Sequence, residues 1–250
     1  MEVRLDVLIA GKLNVSRELA KEAVLSGKCT VGGVVVTKPG AKFSDDAQIL
    51  VEVEKIPFVS RGGFKLAKAL SAFNIDLNNL DCLDIGASTG GFTDCMLKNG
   101  ASRVIALDNG HGQLAQSLIE NNCVIVMEGQ DIRSTVIDDL PYKPNFFACD
   151  LSFISLEKIM HHVAKLIEPK VQGIFLLKPQ FECGPGKINK HGVIADKAAH
   201  FVAINRVSDA MKAANFAVLG VCESSVTGQN KNTEYLIFVE KFHEKPGGPA

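Results

Sequence analysis

Leu83-Asp84-Ile85-Gly86-Ala87-Ser88-Thr89-Gly90-Gly91-Phe92 is the stretch that decides the fold. A strand-like apolar run ends in a turn carrying three glycines, and a helical pattern then runs from Phe92 to Lys98. Glycine lets a chain turn sharply and lets backbone approach a ligand closely. The spacing differs from the G-x-G-x-x-G of dinucleotide enzymes. Asp84 stands just before the turn, and Asp108 ends the next strand-like run, where an acid can accept ribose hydroxyls. Asp131 follows the third run in Gly129-Gln130-Asp131-Ile132 and serves equally well as a helix-capping acid. Gly86, Ala87, Ser88, Gly90, Gly91 and Phe92, with those three acids and Asp150, form a candidate nucleotide cradle.

Outward from this turn, strands and helices alternate. Strand patterns fall at Cys82-Ile85, Val104-Asp108, Cys123-Met127, Phe146-Asp150, Gly173-Lys178, Val218-Cys222 and Tyr235-Glu240. Helical spacing falls near Phe64-Phe73, Phe92-Lys98, Gly112-Glu120, Leu156-Ile167 and Lys197-Ala214. Such alternation predicts an α/β fold, a mostly parallel doubly wound sheet with helices on both faces.

The amino-terminal part reads differently. Leu5, Leu8, Ile9 and Leu13 recur at helical spacing, and Ser16 offers an N-cap for a second helix that Gly27 can end. Cys29-Thr30-Val31, Gly32-Gly33 and Val34-Val35-Val36 form a hairpin signal, and Gln48 to Val53 reads as one more strand. Elements this short bury little alone, so they form a small α+β module over residues 1–54. Residues 55–60 read as a linker, 61–244 as the large domain, and 245–250 as a polar tail.

Composition narrows the classes. A hydrophobic content of 46% and a charged content of 22% fit a globular protein, with no apolar run of membrane-spanning length and no signal-peptide block. The cytoplasm is the expected location. Seven cysteines stand singly without C-x-x-C spacing, so neither structural zinc nor a disulfide framework is expected, and no metal site is predicted. Cys82, Cys123 and Cys149 fall within apolar runs and are expected as small buried hydrophobes. The net charge of −1 leaves nucleic-acid binding to the placement of charges rather than to their sum.

Four polar residues carry the chemistry. Lys65 follows the Ser60-Arg61-Gly62-Gly63 turn. Asp150 opens Asp150-Leu151-Ser152-Phe153-Ile154-Ser155, and Lys178 opens Lys178-Pro179-Gln180-Phe181-Glu182. Glu234 begins the last strand after Gly228-Gln229-Asn230-Lys231-Asn232-Thr233. Lysines and carboxylates at strand ends are costly to bury unless paired, so mutual pairing is expected. Two lysines and two carboxylates beside a nucleotide cradle point to methyl transfer to a hydroxyl. A ribose 2′-hydroxyl must lose its proton as its oxygen attacks the methyl. Burial and the neighbouring Lys65 favour a neutral amine at Lys178 to take that proton. Asp150 would orient the amine, with Lys65 and Glu234 fixing the geometry.

The Lys65, Asp150, Lys178, Glu234 order resembles the tetrad of FtsJ-like ribose 2′-O-methyltransferases. The glycine turn and its acids resemble the S-adenosylmethionine site of Rossmann-like methyltransferases. That likeness implies that the Gly86 turn holds the methionine part, Asp108 the ribose and Asp131 the adenine edge. Arg4-Leu5-Asp6, Ser16-Arg17, Gly27-Lys28-Cys29-Thr30-Val31-Gly32-Gly33 and Lys38-Pro39 resemble the RNA-binding module first seen in ribosomal protein S-four. Its implied RNA face carries Arg4, Arg17, Lys21, Lys28 and Lys38, joined by Arg61 in the following turn. With Ser60-Arg61-Gly62-Gly63-Phe64-Lys65-Leu66, the chain from about residue 3 to 242 resembles the TlyA family, once labelled haemolysins; Lys231 departs from the usual glycine. The resemblance implies methylation of cytidine 2′-hydroxyls in ribosomal RNA, with ribosomal RNA or subunits as partner and no membrane. The competing classes are a membrane-active haemolysin, a non-catalytic RNA-binding assembly factor and a small-molecule methyltransferase.

Overall fold

The computed structural model describes residues 2–13, 15, 17–52, 56–189, 191–227 and 232–242. The expected N-cap Ser16, the end of the strand at Val53, the linker's Lys55, the Gly228–Lys231 segment and the tail lie outside them.

The amino-terminal elements are β1 (Glu2–Arg4), α1 (Leu5–Leu13), α2 (Arg17–Leu25), β2 (Cys29–Val31), β3 (Val34–Val35), β4 (Lys42–Ser44) and β5 (Ile49–Val51). The hairpin forms at the paired glycines, with φ of 57° at Gly32 and 82° at Gly33, and Gly27 ends α2 at 72°. β3, β2 and β5 make one small sheet; β1 and β4, whose pairing the sequence pattern did not reveal, make another. Leu5, Ile9, Ala20, Val24 and Cys29 form a core of their own. Asp6 is buried at the start of α1, where its carboxylate accepts from Arg4 (2.9 Å) and Arg17 (3.0 Å). Two expected RNA contacts thus also hold this module together.

The rest folds around a seven-stranded sheet. Its elements are α3 (Gly62–Phe73), β6 (Asp81–Ile85), α4 (Gly91–Lys98), β7 (Arg103–Asp108), α5 (Gln116–Ile119), β8 (Val124–Glu128), β9 (Phe146–Cys149), α6 (Leu156–Leu166), β10 (Gln172–Leu177), α7 (Pro179–Glu182), α8 (Lys197–Ala213), β11 (Phe216–Glu223) and β12 (Tyr235–Lys241). The order is β11-β12-β10-β9-β6-β7-β8. β8, β7, β6, β9 and β10 run parallel, while β12 is antiparallel to both its neighbours. All seven expected strands are present, in the expected mostly parallel, doubly wound arrangement.

Strands covered on both faces are apolar on both, and β9 illustrates it. Phe147 and Cys149 join the cluster under α6 and α8, whereas Phe146 and Ala148 face the cluster under α3 and α4. Two expectations need correction. Cys123 is exposed, because it stands in a turn before β8 begins, while Cys82 and Cys149 are buried. The stretch from Gly112 to Glu120 forms only the short α5. Its first residues are held instead by the Glu128 carboxylate, which accepts from the backbone N–H of Gly112 (2.7 Å), Gln113 (3.0 Å) and Leu114 (3.4 Å). These bonds satisfy the amides in a turn and remove the need for a helix there.

Residues 56–60 are tied down rather than loose. Val59 N–H donates to Asp94 (2.8 Å), Lys98 donates to the Pro57 carbonyl (2.6 Å), and the Phe58 ring meets Phe64 edge-on. Among the described residues no helix is long and apolar enough to cross a membrane.

A buried bond joins β6 to α4: the Thr93 hydroxyl donates to Asp84 Oδ2 at 2.6 Å. Burial holds the Asp84 carboxyl up at about 7; the Thr93 bond opposes that rise, and the Asp150 and Asp108 charges add to it. An unfolded aspartate ionises near pH ~4, so the folded chain binds the extra proton between there and about 7. The stability this group adds is full below that window, falls as pH rises through it, and is gone above it. Asparagine has no such proton. The Tm of Asp84→Asn relative to the unsubstituted protein is expected to climb from about pH 5 to about pH 8. A constant difference across a pH series of thermal melts would mean that Asp84 is ionised throughout.

Candidate active site

The parallel strands all end along one edge, and the expected residues collect there. β6 runs into a turn whose backbone is fixed by φ of 84° at Gly86 and 90° at Gly90. A Cβ at Gly86 would stand 2.5 Å from the Asp150 carbonyl oxygen, and one at Gly90 would stand 2.2 Å from Leu118. Only glycine meets both demands. α4 begins directly after the turn, so its N-terminal amides and positive dipole end open toward the same edge.

Lys65 lies in the first turn of α3, Asp150 just past β9, Lys178 just past β10, and Glu234 just before β12. They form two ion pairs, Lys65 with Glu234 at 2.7 Å and Lys178 with Asp150 at 2.5 Å. The Lys178 side chain is 9% exposed and that of Glu234 1%. Burial pushes the Glu234 carboxyl above its ordinary range, and the facing Lys65 only partly offsets this. Pro179 opens the short α7 and turns the chain out of β10, leaving Lys178 on the wall of the cleft.

That cleft has a volume of about 770 Å³. All four tetrad residues line it, with Gly86, Ala87, Ser88, Gly91 and Phe92 of the turn. Lys21, Glu22 and Leu25 of α2 form its far wall together with Arg61, and Arg61 is paired with Glu22 at 3.2 Å. The other expected RNA contacts, Arg4, Arg17, Lys28 and Lys38, are exposed or half-exposed and lie away from the cleft wall.

Asp84, Gly90, Asp108 and Asp131 also stand off the wall. Asp84 is fully buried behind the turn, and its Oδ1 has no hydrogen-bond partner. Asp108 spans the turn, accepting from Ser88 N–H (2.8 Å) and Gly110 N–H (2.6 Å). Asp131 accepts from the guanidinium and the backbone of Arg133, and these hydrogen bonds pull its carboxyl down to about 2. It begins a turn stabilised by its own side chain rather than a helix.

Three residues without an expected role belong to the site's framework. Ser152 Oγ accepts from Lys178 Nζ at 2.6 Å. Glu182, buried, accepts from Leu156 N–H (2.8 Å) and Ser155 Oγ (2.7 Å), capping α6 from the end of α7. Asn232, also buried, bonds Ile194 N–H and the Gly192 carbonyl two residues before Glu234. Ser152 and Glu182 stand inside the two strand-end motifs, which was the sole sequence signal for them. Among the described residues no cluster of His, Cys, Asp and Glu could hold a metal ion.

The arrangement can hold an anionic or nucleotide ligand against backbone amides and present a lysine amine to it. Curated relatives match most of the chain. The 16S/23S rRNA (cytidine-2′-O)-methyltransferase TlyA of Mycobacterium tuberculosis is 34% identical over 90% of this chain and 84% of its own length. Hemolysin A of Brachyspira hyodysenteriae is 39% identical over 88% of this chain and 92% of its own. The solved structure of a candidate hemolysin from Streptococcus thermophilus superposes with a TM-score of 0.78 at 38% identity, covering 96% of this chain and 89% of that one. The model of one family, the FtsJ-like methyltransferases, matches residues 58–241, and the chain belongs to that family.

Proposed function

We propose that this protein transfers the methyl group of S-adenosylmethionine to the 2′-hydroxyl of cytidine in ribosomal RNA. The observation that carries the reading is one cleft shared by the glycine turn, both lysine–carboxylate pairs and the flank of α2. The named specificity of the Mycobacterium tuberculosis relative supports the choice of substrate.

The residues fit the cofactor. The Gly86–Phe92 turn brings backbone amides to the cleft without side-chain obstruction, and the unpartnered Oδ1 of Asp84 places a carboxyl group directly behind it. Asp108 is pinned by two backbone bonds and, like any carboxylate, retains lone pairs for ribose hydroxyls. Asp131 is assigned to the adenine edge. S-adenosylmethionine supplies a methyl group on a charged sulfur that leaves neutral, so no general acid is required. Once it has given up its own proton, Lys178 takes the 2′-hydroxyl proton while that oxygen forms its new bond to carbon. Asp150 fixes the direction of the amine. Lys65, held by Glu234, keeps a second positive charge beside the reacting oxygen.

The domain division follows from the same reading: residues 1–54 grip RNA, and 61–244 carry the reaction. A displaced nucleotide suits the cleft, because proteins read RNA through exposed or splayed bases rather than through the deep A-form groove.

The deciding experiment supplies radiolabelled S-adenosylmethionine and separated ribosomal subunits with unmodified RNA. Label is expected in alkali-resistant dinucleotides ending in methylated cytidine; label on no subunit would overturn the reading. Lys178→Ala is expected to lower turnover on the order of 10²–10⁴-fold while cofactor affinity stays nearly constant. Retained turnover would remove Lys178 from its role.

The two kinds of cation in the amino-terminal module are expected to separate. Lys28→Ala and Lys38→Ala should leave Tm unchanged, weaken RNA binding, and flatten its salt dependence by about one unit of slope per lost phosphate contact. Arg17→Ala should lower Tm as well, since it leaves the buried Asp6 with one partner fewer. Equal Tm values for all three variants would count against the structural half of this assignment.

A further inference from the structure

We infer that Ser152 is a positioning residue that, with Asp150, fixes the Lys178 amine so that its remaining direction meets the substrate hydroxyl. The inference rests on the methyl-transfer reading above and adds a residue to it.

A protonated lysine amine carries three N–H bonds at tetrahedral spacing and rotates about its last carbon–nitrogen bond unless held. One acceptor leaves two orientations of the other bonds poorly defined; a carboxylate charge on a second side restricts the rotor further. Lys178 Nζ is held from two sides: it donates a hydrogen bond to Ser152 Oγ at 2.6 Å, and the Asp150 carboxylate draws it through an ion-pair contact, 2.5 Å from Oδ1, whose angle is not that of a hydrogen bond. The third direction is the one left for a ligand in the cleft that Lys178 lines. When that N–H is lost, the lone pair takes its place, already aimed at the atom whose proton it must accept. Alignment of this kind is where small misplacements cost large factors in rate.

The loop carrying Ser152 is built to hold this position. Asp150 N–H donates to the Ile85 carbonyl (2.9 Å) at one end. At the other, Ser155 Oγ and Leu156 N–H are both held by the buried Glu182. Between these anchors Phe153 adopts φ of +64°, a conformation rare for a large side chain. The chain reverses there, and the Phe153 ring stands 82% exposed while Ser152 turns its hydroxyl to Lys178. Backbone strain retained beside a buried ion pair is the pattern of a functional constraint.

The test compares Ser152→Ala and Ser152→Thr by steady-state kinetics, and by the side-chain ammonium resonance of Lys178 in ¹⁵N-lysine-labelled protein at mildly acidic pH. The resonance is assigned by its disappearance in Lys178→Arg. Ser152→Ala is expected to lower kcat for ribose methylation about tenfold to a hundredfold, with KM for RNA and cofactor affinity within twofold. It should also broaden the Lys178 resonance, and Ser152→Thr should restore both. An unchanged kcat and a sharp resonance in Ser152→Ala would overturn the inference. So would a threonine variant as impaired as the alanine one, because the hydroxyl would then not be the active feature. Should the unsubstituted protein methylate no ribosomal RNA ribose, the substrate reading falls, and the resonance still decides whether Ser152 holds Lys178.

Discussion

An ammonium group removed from water must be paired with a carboxylate, and that constraint organises this molecule. Lys178 is 9% exposed and Lys65 13%, each against an acid. Desolvating two such pairs is expensive, and buried ion pairs often contribute less than apolar residues of the same volume. Glu234 registers the cost directly: its carboxyl sits above its ordinary range in spite of Lys65, because burial outweighs the attraction. These four residues are therefore not what the stability of the fold rests on. The apolar clusters on the two faces of the sheet offset what the site costs.

Holding the site requires bonds that cross between elements. Glu182 is the clearest case. It lies four residues after Lys178 and caps the helix that begins six residues after Asp150, so the two strand ends that carry one ion pair are also joined behind it. A carboxylate at a helix N-terminus is favoured by the dipole and by the unpaired amides there, which compensates a buried position. Asn232 does related work for Glu234, fastening residues 192–194 to the approach of β12. His200 extends this contact, with ring nitrogens at 2.9 Å from the Tyr235 hydroxyl and 3.0 Å from the Ile194 carbonyl.

Much of this was legible in the sequence because its signals are local. Strand periodicity, the glycine turn and the paired-glycine hairpin each rest on a few adjacent residues, and all appear where expected. Asp150, Lys178 and Glu234 stood out because charged residues at the ends of apolar runs demand a partner. What escaped depends on distant residues. Glu128 replaces the helix expected from Gly112 by bonding amides fourteen to sixteen positions away, which no periodicity encodes. The β1–β4 pairing joins three-residue strands nearly forty positions apart, each too short to carry a pattern. Ser152 was in plain view within its motif, yet a serine has no reason to be singled out until an amine is found beside it. Arg4 and Arg17 carried a double meaning that only the position of Asp6 separates.

The join between the two parts follows from the same electrostatics, weighed the other way. Arg61 and Glu22 are an ion pair on the far wall of the cleft, but both side chains are about half exposed, at 44% and 52%. Exposed pairs of this type contribute little, since water solvates either partner well. Under the function proposed above, Arg61 exchanges Glu22 for an RNA phosphate at small cost, which Lys65, one turn of helix further on and paired with the buried Glu234, cannot do. On that proposal, binding at the amino-terminal module and occupancy of the cleft are linked events on one strand of RNA. On the same proposal, the effective concentration of the target nucleotide depends on the link between the two parts, of which residues 56–60 are fastened to α4. A segment fastened in this way would favour substrates whose two contact points match the separation it sets, so on that proposal shape selection arises from where the parts are fixed and not only from which base enters the cleft.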